Sequence, residues 1–333
     1  MASALQVNDL RVYYHTSRGI VKAVDAITFG VKASERFGLI GESGSGKSTI
    51  ALAIMRLIRP PGVIESGEIR LDGENLLDLS DEEMRQRRLA SVAMVTQGAM
   101  NSLNPVIRIR QQFADGLNSH GVKVTQKDAR EQLSELLLRV GLQQDVADMY
   151  PHQLSGGMKQ RVCIALAMSL RPSLIIADEP TSALDVVVQR QVMQTLRQVQ
   201  EDLNSAVILI GHDMGLMAQF TSRIGVTYAG KLVEEGPVRA VFRRPQHPYT
   251  QLLMDSLPSL EEKQMLSGAA SGSPPSASER PEGCVFHPRC PYAMDQCIDM
   301  APVYRQVAPE QWVACHLHND GEQWSVQTEK SYA

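Results

Sequence analysis

The sequence predicts an α/β fold built on a mixed, mostly parallel sheet with helices on its faces, followed by a small cysteine-rich module. Apolar runs at residues 37–40, 174–177 and 207–210 are typical of buried strands. Each run is followed by glycine or acidic residues and then by a helical pattern, which favours parallel strands joined by helices. Four of the five cysteines lie near the C-terminal end of the chain.

The composition limits the function classes. The chain has 333 residues, of which 43% are hydrophobic and 21% are charged, as in ordinary globular proteins. Its net charge of −4 gives no electrostatic basis for nucleic acid as the main partner. No apolar run approaches the roughly 18 residues that span a bilayer, and residues 1–9 lack the pattern of a secretory signal. We therefore expect a cytoplasmic protein whose membrane role depends on partners.

Shifts in composition predict the domain organisation. Residues 1–260 are expected to form one large domain, with a helical subdomain at about 98–170. Residues 261–281 become rich in Gly, Ser, Ala and Pro, which is typical of a flexible linker. The cysteine-rich module then occupies residues 282–320, and residues 321–333 form a polar tail.

A glycine-rich segment at residues 41–48, GESGSGKS, matches the phosphate-binding loop pattern. It follows the first predicted strand and leads into a helix predicted at residues 49–57, which is the context that the pattern requires. The glycines allow the backbone to wrap around phosphate oxygens. Lys47 is expected to contact the β- and γ-phosphates, and Ser48 to bind Mg²⁺. The candidate nucleotide contacts are Gly41, Ser43, Gly44, Ser45, Gly46, Lys47, Ser48 and Thr49.

Two acidic residues, Asp178 and Glu179, follow the predicted strand at 174–177. In a P-loop protein the Mg²⁺ shell needs a carboxylate at such a strand end, and Asp178 suits that role. Glu179 is a candidate to orient or deprotonate the attacking water. Strand ends are also often acidic because they meet solvent, but the P-loop and the following residues 180–185, PTSALD, favour the catalytic interpretation.

Residues 154–158, LSGGM, predict a second anion-binding site. Ser155, Gly156 and Gly157 precede a helix predicted to begin near Met158, and the N-termini of helices bind anions. The alternative is an ordinary helix cap. That alternative does not explain why the segment lies about twenty residues before the acidic strand of a P-loop protein.

These motifs, in this order, resemble those of the ABC ATPase family of P-loop NTPases. Residues 154–158 resemble its signature motif, although Met158 stands where many members have Gln. Gln97, which follows a predicted strand at residues 91–96, resembles the Q-loop glutamine. His212 resembles the switch histidine.

Further elements of the resemblance lie in the D-loop and near the N-terminus. Residues 182–185 resemble the D-loop. Tyr14 resembles the aromatic residue that stacks on adenine, with Tyr13 as the alternative, because the register of the strand decides between them. Ser34 stands where the family usually has Gly, a departure that we expect to alter only a turn.

The resemblance implies an ATPase that uses ATP and Mg²⁺. In this family two nucleotide domains close head-to-tail around two ATP molecules, and the signature of one contacts the γ-phosphate held by the P-loop of the other. This chain carries one of each motif, so a second ATPase subunit is implied, and we expect a related heteromeric one. Glu179, His212 and Gln97 are implied as catalytic residues. Gln97 would also bind Mg²⁺, together with Ser48 and Asp178, and sense the permease.

Segments at residues 101–105, 155–158, 247–250 and 283–316 resemble the oligopeptide, dipeptide and nickel importer subfamily. This resemblance implies a subunit that energises uptake of di- and oligopeptides from the cytoplasmic face of the inner membrane. The implied partners are two transmembrane permease subunits and an extracytoplasmic substrate-binding protein. Uptake of oligosaccharides or nickel chelates, and a soluble ABC ATPase without a transport role, are the alternatives.

The C-terminal cysteines are candidate metal ligands, namely Cys284, Cys290, Cys297 and Cys315. Four thiolates suit either Zn²⁺ or an iron–sulfur cluster. Their spacings are longer than the Cys-x-x-Cys pairs of zinc ribbons, and three nearby histidines, His287, His316 and His318, compete as ligands. Buried reduced thiols are the structural alternative, and the subfamily resemblance implies a [4Fe–4S] cluster. Cys163 is interpreted as a small core residue.

Overall fold

The computed structural model describes residues 3–96, 98, 102–182, 184–256 and 280–318. These residues divide into two compact units. The first unit is built from the residues up to Gln6, from Gly30–Arg36 and from Ile69–Ile210. The second is built from Val7–Phe29, from Phe37–Glu68 and from the residues after Ile210.

Strands and helices alternate through most of the described chain. The strands are β1 (Ser3–Thr16), β2 (Gly19–Lys32), β3 (Arg36–Ile40), β4 (Gly62–Leu71), β5 (Glu74–Asn75), β6 (Val92–Val95), β7 (Leu174–Asp178), β8 (Ala206–Ile210), β9 (Arg223–Tyr228), β10 (Lys231–Pro237), β11 (Tyr304–Ala308) and β12 (Gln311–Ala314). The α-helices are α1 (Lys47–Ile54), α2 (Asp81–Arg87), α3 (Ile109–Ser119), α4 (Gln126–Arg139), α5 (Gly156–Ala167), α6 (Val186–Leu203), α7 (Met214–Phe220), α8 (Val238–Arg243), α9 (Pro248–Asp255) and α10 (Gln296–Asp299). Within the described ranges, no helix is both long and apolar enough to span a bilayer.

The predicted α/β class is confirmed by the parallel strands. In the first unit β6, β7 and β8 pair in parallel, with Leu174 opposite Val92 on one side and Ala206 on the other. Every residue of β7 and β8 is buried, which is the pattern of strands covered on both faces. In the second unit β3 pairs in parallel with β9, and β10 then pairs with β9 in the antiparallel sense. Parallel and antiparallel strand pairs are therefore both present, as the predicted mixed sheet requires.

The N-terminal strands form an antiparallel sheet that the apolar runs did not predict. Its order is β2-β1-β4-β5. Strand β1 mixes buried and exposed residues, so no continuous apolar run marks it. After β2, Ser34 has a φ of 60°, a left-handed conformation that glycine adopts without strain, and its Oγ donates to the Asn204 carbonyl oxygen at 2.9 Å. The departure at Ser34 thus lies in a turn, as expected.

Helices α3, α4 and α5 lie within the range expected for a helical subdomain, together with short 3₁₀ segments at Gln144–Asp148 and Pro151–Gln153. Asp148 connects two of these helices, because it pairs with Arg110 of α3 and, at 2.8 Å, with Arg130 of α4. The hydrogen bond from Arg130 and the charge of Arg110 hold the pKa of Asp148 below its usual value.

The C-terminal segment continues the sheet of the second unit. Strand β12 pairs with β10, placing Val313 opposite Glu234, and β11 pairs with β12. Glu234 is fully buried and accepts hydrogen bonds at 2.9 Å from the Gln246 and His247 amides and from Gln311 Nε2. Burial raises the pKa of Glu234, and the hydrogen bonds oppose that rise. Most of the predicted linker and the predicted tail lie outside the described residues.

We expect Glu234→Gln to lower the stability of the second unit although the side chains have nearly the same size. The amide presents N–H donors where the native carboxylate accepts from three N–H groups, so a donor is left facing a donor in a buried position. The free energy of unfolding, measured by urea denaturation, should fall by about 1–3 kcal/mol. Glu131→Gln, on the exposed face of α4, is the control and should shift it by less than about 0.5 kcal/mol. Equal shifts in the two variants would contradict the prediction.

Candidate active site

The P-loop is held against β9 by close backbone packing. Gly41 has a φ of 150°, and a Cβ there would lie 2.1 Å from the Thr227 carbonyl oxygen. The hydroxyls of Ser45 and Thr227 are 2.9 Å apart, and Thr227 Oγ1 donates to the Ile40 carbonyl oxygen at 3.0 Å. The Gly230 amide donates to the Ser45 carbonyl oxygen at 3.1 Å. Strand β9 and the turn after it therefore fix the shape of the loop.

Lys47 is buried beneath the loop. Its ammonium donates to the carbonyl oxygens of Gly41 at 2.7 Å and Glu42 at 2.9 Å, and to Ser45 Oγ at 3.2 Å. Helix α1 begins at Lys47 and its N-cap is Gly46, with a φ of 101°. The start of a helix carries the positive end of its dipole, which gives this end of α1 the polarity of an anion site. Of the other predicted contacts, Ser43 and Gly44 form the exposed turn of the loop, while Ser48 and Thr49 lie in the first turn of α1.

Tyr13 and Tyr14 have different surroundings. Tyr13 Oη donates to Asp25 Oδ1 at 2.8 Å, and burial, reinforced by this bond, raises the pKa of Tyr13 to about 12. Consecutive strand residues point to opposite faces. The Tyr14 ring packs on Gly62, where a Cβ would lie 2.7 Å from its Cε1. Because Tyr13 is bound to Asp25, the arrangement favours Tyr14 as the stacking residue.

In the first unit, Asp178 ends β7 and is buried opposite Ile210 of β8. Glu179 follows with a left-handed φ of 45°, and its amide donates to the Ile210 carbonyl oxygen at 2.9 Å. The Ser182 amide and hydroxyl both donate to the Glu179 carbonyl oxygen. A left-handed conformation is unfavourable for a residue with a side chain, and such strain concentrates at functional positions.

The segment predicted as an anion site caps α5. Ser155 is the N-cap residue, and its Oγ accepts from the Met158 amide at 3.3 Å. The helix begins at Gly156, slightly earlier than predicted, because the cap is Ser155. A Cβ on Gly157 would lie 2.3 Å from Val188 Cγ1 of α6. Gly157 is thus also required for the close packing of α5 on α6, which the motif alone did not reveal.

The remaining predicted catalytic residues are less fully described. His212 follows β8 and is exposed, and the next residue, Asp213, caps α7 by accepting from the Leu216 amide at 3.0 Å. Gln97 lies outside the described residues, as does Ala183 of the predicted D-loop. Asp185, at the end of that loop, caps α6 by accepting from the Val188 amide at 2.9 Å.

The C-terminal thiols are near one another but are not arranged as a metal shell. Cys284, Cys297 and Cys315 are buried, and the Cys284 amide donates to the Cys297 carbonyl oxygen at 2.9 Å. Burial, with a smaller effect of the neighbouring thiols, raises the pKa of Cys290 to about 11 and of Cys315 to about 12. Across the ranges that the structure describes, no group of three or more His, Cys, Asp or Glu side chains could hold a metal ion. The predicted [4Fe–4S] site therefore has suitable donors, but their arrangement does not support it.

The histidines near these thiols have other partners. Ring nitrogens of His287, His316 and His318 lie at 3.0, 2.8 and 3.0 Å from the carbonyl oxygens of Cys284, Met300 and Gln246, respectively. Within the described residues, these histidines are not part of any group that could hold a metal ion. Cys163 is buried in α5, and burial raises the pKa of its thiol to about 11, as fits a core residue.

Sequence reasoning missed the residues that support the loop. Thr227 lies in a buried strand, where its hydroxyl gave no signal in the sequence. The Glu42 amide donates to Tyr249 Oη at 2.8 Å. Tyr249 belongs to the segment at residues 247–250, which contributed to the resemblance but had no assigned structural role. Only the fold brings this tyrosine to the loop.

Comparison with known proteins gives two family matches on one chain. The model described as "ABC transporter" matches residues 24–182. The model described as "Oligopeptide/dipeptide transporter, C-terminal region" matches residues 233–297.

Curated relatives match over most of their length. The dipeptide transport ATP-binding protein DppD of Haemophilus influenzae is 43% identical over 94% of this chain and 94% of its own. The protein of the same name from Escherichia coli is 42% identical over 95% and 97%. A putative peptide import ATP-binding protein of Brucella melitensis is 43% identical over 91% of each chain.

Solved structures match the larger part of the fold. An ATP-binding cassette, solved as a dimer in a post-hydrolysis state with ADP and Pi, has a TM-score of 0.63 and 28% identity. The match covers 71% of this chain and 99% of that one. The cbiO1 protein of Clostridium perfringens, part of an ABC transporter complex, has a TM-score of 0.62 and 26% identity. That match covers 73% of this chain and 91% of the other.

We expect Gly41→Ala to abolish nucleotide binding, because the new methyl group collides with the Thr227 carbonyl and must displace the loop. Gly19→Ala is the matched control, since Gly19 has a φ of 125° but no atom within 4 Å of its Cβ position. The control therefore carries the backbone strain of about 1 kcal/mol without the collision. Binding of a fluorescent ATP analogue, measured with the melting temperature, separates the two effects. Native affinity in Gly41→Ala would contradict the packing argument.

Proposed function

Because this chain belongs to the ABC transporter family, among the ATP-binding proteins of dipeptide and peptide import, we propose that it binds and hydrolyses ATP to energise peptide uptake. The supporting observation is that one chain carries both the ABC transporter region and the oligopeptide/dipeptide C-terminal region. The proposed cargo is di- and oligopeptides. The proposed location is the cytoplasmic face of the cell membrane, at its periphery.

The P-loop is the proposed triphosphate site. Its shape is fixed by β9, and Lys47 is its buried cation. The proposed Mg²⁺ ligands are Ser48, Asp178 and Gln97. The proposed adenine contact is Tyr14. The hydrogen bond from Tyr13 to Asp25 supports this choice, because it gives Tyr13 another partner. These roles agree with phosphate binding at the start of a helix that follows a glycine-rich turn.

Hydrolysis is assigned to Glu179 as the residue that activates water, with His212 and Gln97 as further catalytic residues. The strained backbone of Glu179 supports a functional role. Ser155, Gly156 and Gly157 are proposed to contact the γ-phosphate bound by another subunit. The capped start of α5 gives this segment the polarity of an anion site. A second ATPase subunit, related or identical, is therefore part of the proposal.

The segment at residues 101–105 is proposed to dock on the permease. Asn104 is anchored to α3, since Gln112 accepts from its amide at 2.9 Å and donates to its carbonyl oxygen at 3.0 Å. Next to it, Val106 is 77% exposed. The support for docking is therefore a turn that is held in place by α3 and presents its tip to solvent. Two permease subunits and an extracytoplasmic binding protein complete the proposed assembly.

We propose the domain boundaries predicted from the sequence: a nucleotide-binding domain at residues 1–260 with a helical subdomain at about 98–170, a linker at 261–281, a cysteine module at 282–320 and a tail at 321–333. For the module we propose a structural [4Fe–4S] cluster held by the four C-terminal thiols, with Zn²⁺ as the alternative. The support is the donor chemistry alone, since four thiols lie in one segment and those of Cys284, Cys297 and Cys315 are buried, while no group of described side chains is arranged to hold a metal ion.

Co-purification tests the transport role. The chain, expressed with the permease genes of its own genomic neighbourhood, should be retained with integral membrane subunits. ATP hydrolysis should rise when the cognate binding protein is loaded with a di- or oligopeptide. Stimulation by an oligosaccharide or a nickel chelate instead would support ATP-driven transport but contradict peptides as the transported substrate. Failure to associate with any permease would contradict the transport role.

We expect Glu179→Gln to retain ATP binding and to lose at least about 100-fold in turnover, because the amide cannot accept a proton from water. Phosphate release and binding of a fluorescent ATP analogue should be measured on the same preparation. Glu131→Gln, on α4 of the same unit, should match the wild type in both. Near wild-type turnover in Glu179→Gln would remove the assigned role.

If the four thiols hold the proposed cluster, the anaerobically purified chain should absorb at about 400 nm and contain iron and sulfide. Cys297→Ser should lower both signals, because one thiolate ligand is lost. Cys163→Ser, distant from these thiols in the sequence, should leave both unchanged. Stoichiometric zinc without absorbance would replace the cluster by Zn²⁺, and the absence of both metals would leave the thiols as buried core groups.

A further inference from the structure

Arg289 connects the cysteine module to the P-loop within the second unit. It lies in the 3₁₀ segment His287–Arg289, immediately before Cys290. Its Nη1 donates to Glu42 Oε2 at 2.8 Å, and its Nη2 donates to Glu42 Oε1 at 3.1 Å. This two-bond geometry is the strong form of an arginine–carboxylate pair. Glu42 is the second residue of the loop, a position that the P-loop pattern leaves unspecified.

The pair is largely withdrawn from water. The Arg289 side chain is 8% exposed and that of Glu42 is 25% exposed. The same guanidinium donates to Tyr228 Oη at 3.2 Å, and its carbon lies 5.7 Å from the centre of the Tyr228 ring. The hydrogen bonds to Glu42 raise the pKa of Arg289, so the cation persists. Removing one partner from such a pair leaves the other charged and poorly solvated.

Glu42 also contacts Lys47, the lysine of the P-loop. Its carbonyl oxygen accepts from Lys47 Nζ at 2.9 Å and from the Ser45 amide at 3.2 Å. Its own amide donates to Tyr249 Oη. One residue therefore holds the lysine with its backbone and the module with its side chain. A displacement of the Glu42 carboxylate is expected to move the backbone on which Lys47 depends.

A packed aromatic cluster supports the contact. Phe286, from the module, is fully buried, with its ring centre 5.2 Å from that of Tyr228 and 5.5 Å from that of Tyr249. The two tyrosine rings are 4.5 Å apart. These rings fix the segment that carries Arg289 against the strand and helix that also hold the loop. The arginine is thus presented from a rigid support.

A second connection reaches the other end of the loop. Arg280 pairs with Asp25 at 3.1 Å, and the Asp25 amide donates to the Gly230 carbonyl oxygen at 2.8 Å. The Gly230 amide in turn donates to the Ser45 carbonyl oxygen. The segment that follows residue 279 therefore contacts the loop through two arginines, one directly and one through a turn.

We propose that Arg289 is a positioning residue for nucleotide binding, acting through Glu42 so that the folded cysteine module sets the affinity of the P-loop for ATP. The inference rests on the proposed function of the loop. Two physical effects combine. The paired guanidinium holds the loop backbone in one conformation, which lowers the ordering cost of binding. It also neutralises a carboxylate that would repel the triphosphate.

The test is a double-mutant cycle on the full chain, with a fluorescent ATP analogue for Kd and phosphate release for KM and kcat. Arg289→Ala should weaken nucleotide binding and raise KM about tenfold or more, with kcat at saturating ATP within about twofold of the wild type. Adding Glu42→Gln to Arg289→Ala should recover part of the lost affinity, because the unpaired charge is removed. Arg289→Lys should give an intermediate value, since an ammonium cannot form the two-bond pair.

Arg305→Ala is the matched control, because Arg305 lies in the same C-terminal segment and donates to the His318 carbonyl oxygen at 3.3 Å. Its Kd for the ATP analogue should equal that of the wild type. The proposal is overturned if Arg289→Ala binds as the wild type does, if its loss simply adds to that of Glu42→Gln, or if Arg305→Ala loses as much. Should Arg289→Ala fail to fold, the double-mutant cycle can be built from Arg289→Lys, Glu42→Gln and the variant that combines them. A wild type that binds but does not hydrolyse ATP would contradict the proposed function and leave this inference standing.

Discussion

The absence of space between Gly41 and the Thr227 carbonyl oxygen is the constraint on which the nucleotide site depends. Because residue 41 has no side chain, the loop packs directly on β9. The hydroxyl of Thr227 lies within hydrogen-bond distance of Ser45 Oγ and donates to the carbonyl oxygen of Ile40 at the end of β3. With the backbone fixed in this way, two loop carbonyls converge on the Lys47 ammonium. A phosphate site needs many weak donors in a fixed arrangement, so the packing of one glycine determines whether those donors act together.

The C-terminal segment is joined to the rest of the second unit by one recurrent kind of contact. Four carboxylates of the preceding chain each accept from a donor that follows residue 279. The pairs are Asp25 with Arg280, Glu42 with Arg289, Glu234 with Gln311 and Glu235 with Tyr304. These acids lie in β2, in the P-loop and in β10, so the segment is attached at several points rather than through one strand pairing. Its attachment combines these directional polar contacts with the aromatic packing of Phe286.

Much of the fold was predictable because β7 and β8 are buried along their whole length and therefore appear as unbroken apolar runs. The P-loop was predictable because phosphate binding demands glycines at fixed spacing. Strands β1 and β2 were harder, since strands of mixed burial give no such run. The contact between Glu42 and Arg289 joins residues 247 positions apart, and nothing in the sequence indicates which acid meets which base. For Gly157 the motif suggested an anion contact, while the structure adds the contact with Val188.

The contact of Gly157 with Val188 also has a mechanical meaning. Because a side chain at residue 157 would collide with Val188, α5 and α6 approach each other here as closely as a glycine allows. Ser155 caps the first helix and Asp185 caps the second. The two caps therefore stand beside one packing contact. A displacement of Ser155 relative to Asp185 would have to repack Gly157 against Val188.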